Sequence, residues 1–166
     1  MVEKTQFVLS EAAKSKIDSW LAKYPPEQKR SAVIPALHIA QDENQGWLSD
    51  EAMEAVADYL GLPKMAVFEV ATFYSMYNLK PIGKHQISVC TNVSCMLKGS
   101  DKIAEHFKNK LGISFNETTS DGNATLKEVE CLAACAGAPA CMIDKTYYEN
   151  LTPEKIDELL RGLSST

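Results

Sequence analysis

The chain has 166 residues, 45% of them apolar and 23% charged, with a formal net charge of −5. That is the make-up of an ordinary folded protein, long enough for one domain of usual size or two small ones. No basic block or stripe stands out, which argues against nucleic acid as a partner, and no apolar run reaches the roughly 18 residues that span a bilayer.

The start, Met1 to Phe7, lacks the charged-then-apolar pattern of a signal peptide, so a cytosolic protein is expected. In that reducing compartment its five cysteines make poor disulfides and better metal ligands.

Residues 1–80 read as helical throughout. Ser10 caps a first helix whose apolar stripe is Ala13, Ile17, Trp20, Leu21 and Tyr24, and Pro25-Pro26 stops it. A second helical segment runs from about Glu27 towards Gln41, with Pro35 expected to kink it. The third is the clearest: Ser49 as N-cap, Asp50 and Glu51 in the first turn, a stripe of Met53, Val56, Ala57 and Leu60, and Gly61 to end it. A fourth starts at Pro63, with Val67, Val70, Ala71 and Tyr74 at helical spacing.

Composition changes over residues 78–84, a plausible linker, and beyond it the period shifts. His85 to Cys90 alternates like a strand, and Ser100 to Leu111 is a helix with Ile103, Phe107 and Leu111 on one face, ended by Gly112. Thr125 to Glu130 reads as a strand and Ala140 to Tyr148 as one or two more. A last helix starts at Thr152-Pro153-Glu154, with Ile156, Leu159, Leu160 and Leu163 buried. The order β-α-β-β-β-α predicts an α/β layer with a crossover connection.

Four cysteines fall in two tight pairs, Cys90-x₄-Cys95 and Cys131-x₃-Cys135. Two pairs of thiolates brought together make a four-sulfur site, which holds zinc or an iron–sulfur cluster. Cys90 and Cys131 each read as the end of a strand and Cys95 as part of the loop entering the Ser100 helix. If the two strands are neighbours, the sulfurs converge at one sheet edge. Neither pair is C-x₂-C, which fits zinc knuckles poorly without excluding zinc. The second loop, from Cys131 to Pro139, is mostly Ala, Gly and Pro, and small residues let backbone N–H groups approach an inorganic core.

His38, His85 and His106 lie outside both pairs, which sets aside a Rieske-type centre. Cys141, in Ala140-Cys-Met-Ile143, reads as a core thiol. No C-x-x-C, no G-x-G-x-x-G and no P-loop occurs, so neither a dithiol oxidoreductase nor a nucleotide site is expected.

The words flanking these cysteines carry a resemblance. Ala36-Leu-His-Ile-Ala-Gln41, Gly46-Trp-Leu-Ser49, Glu69-Val-Ala-Thr-Phe-Tyr74, Val89-Cys-Thr91, Cys95-Met-Leu97, Gly99-Ser100 and Cys131-Leu-Ala-Ala-Cys135 with Ala138-Pro139 resemble the thioredoxin-like [2Fe–2S] subunit of NADH:quinone oxidoreductase, respiratory complex I. The resemblance runs from about residue 10 to 160. It implies an α+β chain: an N-terminal four-helix bundle over 1–80 that docks, then a thioredoxin-like α/β ferredoxin domain over 81–166. It also implies one [2Fe–2S] cluster held by Cys90, Cys95, Cys131 and Cys135. Ala133 is a departure, since the family usually has Gly there, and its methyl strains the loop if that position needs φ > 0.

A fully thiolate-ligated [2Fe–2S] core is already anionic, so surroundings set its potential; Glu128 and Glu130 would lower it if close, or simply face solvent. With no substrate site of its own, the chain is expected to work with a partner. The resemblance names the larger flavin-bearing, NADH-binding subunit, which would hold FMN and NADH and exchange single electrons with this chain. The whole would sit peripheral to the inner membrane on the cytoplasmic side, with no direct membrane insertion here. Phe68 and Phe73, off the fourth helix's stripe, are candidates for the docking face. Alternatives are the equivalent subunit of an NAD-linked hydrogenase or formate dehydrogenase, a Cys₄ zinc structural module, or a free ferredoxin for which residues 1–80 have no use.

Overall fold

The computed structural model describes residues 7–163 and divides into two compact units, Met1–Pro81 and Ile82–Thr166. In the first, α1 (Glu11–Leu21), α2 (Val33–Glu43), α3 (Asp50–Leu60) and α4 (Lys64–Phe73) follow one another, with a short 3-10 turn at Lys29–Ala32 before α2. The caps are those the sequence calls for. Ser10 Oγ accepts from the Ala13 amide and Ser49 Oγ from the Ala52 amide, both at 3.1 Å. Gly61 closes α3 at φ +65°, a conformation that costs a residue with a Cβ.

Ile17, Leu37, Leu48, Leu60, Val56 and Val67 are buried in one apolar core, where each large aliphatic side chain stabilises by about 2 kcal/mol. Asn78 ties the end of the unit back: its amide donates to Gln41 Oε1 at 2.8 Å, and its carbonyl accepts from Leu48 at 2.7 Å.

Three details of this unit differ from the sequence reading. Pro35 does not kink α2, because the helix starts at Val33 and the missing N–H falls among first-turn donors that have no helical partner. Trp20 is 37% exposed rather than part of a buried stripe, with the Lys23 ammonium 3.5 Å from its ring centroid. Tyr74 is also exposed: α4 ends at Phe73 and Tyr74 is extended, so helical spacing no longer governs where it points.

The second unit is a mixed five-stranded sheet of order β2-β3-β1-β4-β5. The elements run β1 (His85–Cys90), α5 (Val93–Leu97), α6 (Ser100–Leu111), β2 (Glu117–Thr118), β3 (Ala124–Val129), β4 (Cys141–Ile143), β5 (Thr146–Tyr148) and α7 (Pro153–Leu163). β1 and β3 are parallel, His85 opposite Ala124 through to Cys90 opposite Val129, so α5 and α6 form the crossover that parallel neighbours require. β4 runs antiparallel to β1 on its other side. Ile87, Val89, Leu126, Ile143 and Cys141 of the sheet pack with Phe107 of α6 and Ile156 of α7 in a second core.

The histidines of this unit have ordinary partners. His85 Nδ1 lies 2.8 Å from Asp144 Oδ2, and His106 Nε2 lies 2.8 Å from Asp157 Oδ1 between α6 and α7. Among the described residues, no helix is long and apolar enough to cross a membrane.

Candidate metal centre

The site grows from where strands end. Cys90 is the last residue of β1 and 4% exposed. Its amide donates to the Ala140 carbonyl at 3.2 Å on the β4 side, while the next amide, Thr91, donates to Val129 at 3.3 Å on the β3 side. The end of β1 is therefore held from both flanks. Cys95 is 2% exposed. It sits not in a loop, as the sequence suggested, but in α5, a helix of five residues capped by Asn92, whose side chain accepts from Val93 N at 2.6 Å.

The second pair is placed differently. β3 ends at Val129, so Cys131 lies two residues beyond the strand rather than at its end, and both Cys131 and Cys135 are exposed. Cys135 opens a 3-10 turn, Cys135–Gly137, followed by a cis peptide at Ala138-Pro139. Ala133 stands at φ +56°, the conformation at which its methyl is strained. Its amide donates to Cys131 Sγ at 3.2 Å.

All four cysteines line one cavity of ≈ 160 Å³, together with the small residues Ala133, Ala134 and Ala140. Among the described residues, no three of the His, Cys, Asp and Glu side chains are grouped as ligands of a single metal ion. Burial pushes the Cys95 thiol above its ordinary range, helped by a hydrogen bond with Cys90, while a hydrogen bond from the Ala140 backbone opposes the shift. Charge on Cys90 and Cys135 raises it further. Cys95 therefore resists becoming a thiolate unless a cationic metal compensates it.

The remaining candidates separate cleanly. No histidine lines the cavity, and neither does Cys141. Cys141 is buried in the second core, and burial raises its thiol to about 12, against a lowering by Lys155. Glu128 and Glu130 both face solvent, and Glu128 accepts the Thr91 hydroxyl at 2.8 Å. Sequence reading missed α5, whose one signal was Asn92 in a capping position, and missed the segment after β5 that holds the Cys135 loop.

A family profile described as thioredoxin-like [2Fe-2S] ferredoxin matches residues 17–164, and the chain belongs to that family. The α+β class and the thioredoxin-like ferredoxin fold expected from the sequence hold. The chain is 49% identical over 159 residues to the E subunit of NADH-quinone oxidoreductase from Rickettsia bellii, covering 96% of this chain and 95% of that one. It is 44% identical over 158 residues to the NADH dehydrogenase [ubiquinone] flavoprotein 2, mitochondrial, of Dictyostelium discoideum, covering 95% and 64%. A crystal structure of NAD+-reducing [NiFe]-hydrogenase in the air-oxidized state shares the fold, with TM-score 0.69 at 21% identity over 80% of this chain and 23% of that one.

Family membership makes an iron–sulfur cluster the implied occupant of the cavity, and the residues fit it. Four soft sulfur donors surround the space, alanines leave room for a bulky core, and a backbone amide is already aimed at a donor sulfur.

Proposed function

We propose that the chain is the [2Fe–2S] electron-transfer subunit of the NADH-oxidising module of an NADH:quinone oxidoreductase, with Cys90, Cys95, Cys131 and Cys135 as the ligands of one cluster. The carrying observation is that cysteines from two distant segments line a single cavity. The end-to-end likeness to the E subunit of a bacterial NADH-quinone oxidoreductase supports the assignment.

When bound, the cluster supplies a one-electron couple. The chain's own residues do the rest. Burial of Cys90 and Cys95 keeps water from the inner pair, and the amides of Ala133 and Ala140 lend positive dipole ends to sulfur. Residues 81–166 are the cluster-bearing domain.

Residues 1–80, as a four-helix bundle, are the docking element for the flavin-bearing subunit that binds FMN and NADH. Exposed Met65, Phe73, Met76 and Leu79 support this, Phe73 being 79% exposed. Phe68, by contrast, packs partly against the bundle core. The assembly would sit peripheral to the inner membrane on its cytoplasmic side.

The test is EPR with iron and zinc analysis on anaerobically purified chain, before and after dithionite. A rhombic S = ½ signal that appears only on reduction, with two irons per chain, is expected. A silent spectrum with one zinc would leave a structural module, and co-purification of hydrogenase or formate dehydrogenase subunits would reassign the assembly.

A further inference from the structure

The loop that carries Cys135 is clasped by the segment that follows β5. The Asn150 amide donates to the Gly137 carbonyl at 2.6 Å, and the Leu151 amide donates to the Pro139 carbonyl at 3.0 Å. Asn150 reaches this pose at φ +50°. Leu151 is buried in the second core, and the Lys155 ammonium donates to the Glu149 carbonyl, so the clasp is anchored on α7.

Gly137 is buried although Cys135 and Ala136 beside it are exposed. What covers it is Glu149: a Cβ built on Gly137 would collide with that side chain, carboxylate included. A carboxylate thus lies on the backbone of the very turn that begins at Cys135. Its location has two consequences. The side chain fills the space above a residue that has none, which limits how the turn can move. Its charge also stands on the turn that Cys135 opens, two residues along from a proposed ligand of a site that must accept an electron, and like charge makes that acceptance less favourable.

We propose that Glu149 is a positioning residue for the Cys135 loop whose charge holds the reduction potential of the bound cluster down; this rests on the cluster-binding reading above. Glu149 is solvent-exposed, so its influence is modest and is screened by salt.

The experiment is an EPR-monitored redox titration of the full, anaerobically loaded chain at low and high salt. Wild type is compared with Glu149→Gln, Glu149→Asp, Glu149→Ala and, as a control on the exposed face of α7, Glu158→Gln. Glu149→Gln is expected to keep two irons per chain and raise the midpoint potential, by an amount that shrinks at high salt. Glu149→Asp, which keeps the charge, should stay near wild type. Glu149→Ala should raise the potential and also broaden the EPR lines as the turn loosens. A loaded Glu149→Gln whose potential matches wild type, or moves no more than Glu158→Gln, overturns the proposal alone. A wild-type chain that takes up no iron overturns the cluster-binding reading and the proposal with it.

Discussion

The backbone amide of Ala133 donates to the Sγ of Cys131 across 3.2 Å, and does so from φ +56°. The hydrogen bond and the left-handed backbone go together, because the chain must turn back sharply to aim an amide at a sulfur two residues earlier. For a residue with a Cβ that conformation costs about 1–2 kcal/mol, whereas glycine adopts it freely. Glycine's greater freedom in the unfolded chain takes back roughly 0.4–1 kcal/mol. Ala133→Gly is therefore expected to stabilise the chain by up to about 1 kcal/mol with iron content unchanged. Ala133→Val, β-branched at the same φ, should destabilise it by at least about 1 kcal/mol. Urea unfolding followed by circular dichroism distinguishes these; a Val variant as stable as the parent would show the position is not under strain.

Cys141 should behave as a hydrophobe. Cys141→Ala is expected to leave iron per chain unchanged, while Cys90→Ala or Cys131→Ala empties the site. Cys141→Ser is the sharper probe, since it puts a hydroxyl into a core position lined by apolar side chains and costs about 1–3 kcal/mol. Iron lost from Cys141→Ala would mean the thiol takes part in ligation after all.

The same residue predicts a pH dependence. Its thiol is held up to about 12 in the folded chain, against an ordinary 9.0. The raised value means the fold stabilises the neutral form. Its contribution is fully present below pH 9 and is lost as pH rises towards 12, at up to about 1.4 kcal/mol per pH unit, because the unfolded chain ionises first. Measured as wild type minus Cys141→Ala, the stability difference should fall through that window; a flat difference would contradict the burial.

Gly83 precedes β1, and a Cβ there would stand 2.9 Å from the Gly122 carbonyl oxygen and 3.0 Å from the backbone of Ala124. Its amide donates to Thr125 Oγ1 at 2.6 Å. Backbone cannot give way as a flexible side chain can. Gly83→Ala is expected to cost about 1–3 kcal/mol and to raise hydrogen exchange along the β1–β3 pair. Unchanged exchange at Ile87 and Val89 would refute it.

Much of this was legible in the residues and some was not, for physical reasons. Ser49 and Gly61 bracket α3 with local chemistry, and Ile103 and Phe107 mark the inner face of α6 by period alone. α5 escaped because five residues do not complete two turns and show no period. β2 escaped because its two residues are both exposed and have no alternation to display. The cysteine spacing announced a four-sulfur site, but bringing the pairs to one cavity depends on β1 lying beside β3, which no local pattern encodes. Glu149 over Gly137 was invisible for the same reason, being a contact between segments joined only through a hairpin.

Because β4 runs against β1, its first residue lies where β1 finishes, with Cys141 opposite Val89 and the Ala140 carbonyl on the Cys90 amide. Strand pairing thus acts as the gauge of the opening between the two cysteine segments. A shift of β4 by one residue would draw its preceding loop along by about 3.3 Å and exchange the faces of the strand, sending Cys141 outward and Met142 into the core. The burial of Cys141 and Ile143 on one face of β4 is therefore also a tolerance on sulfur placement some residues away.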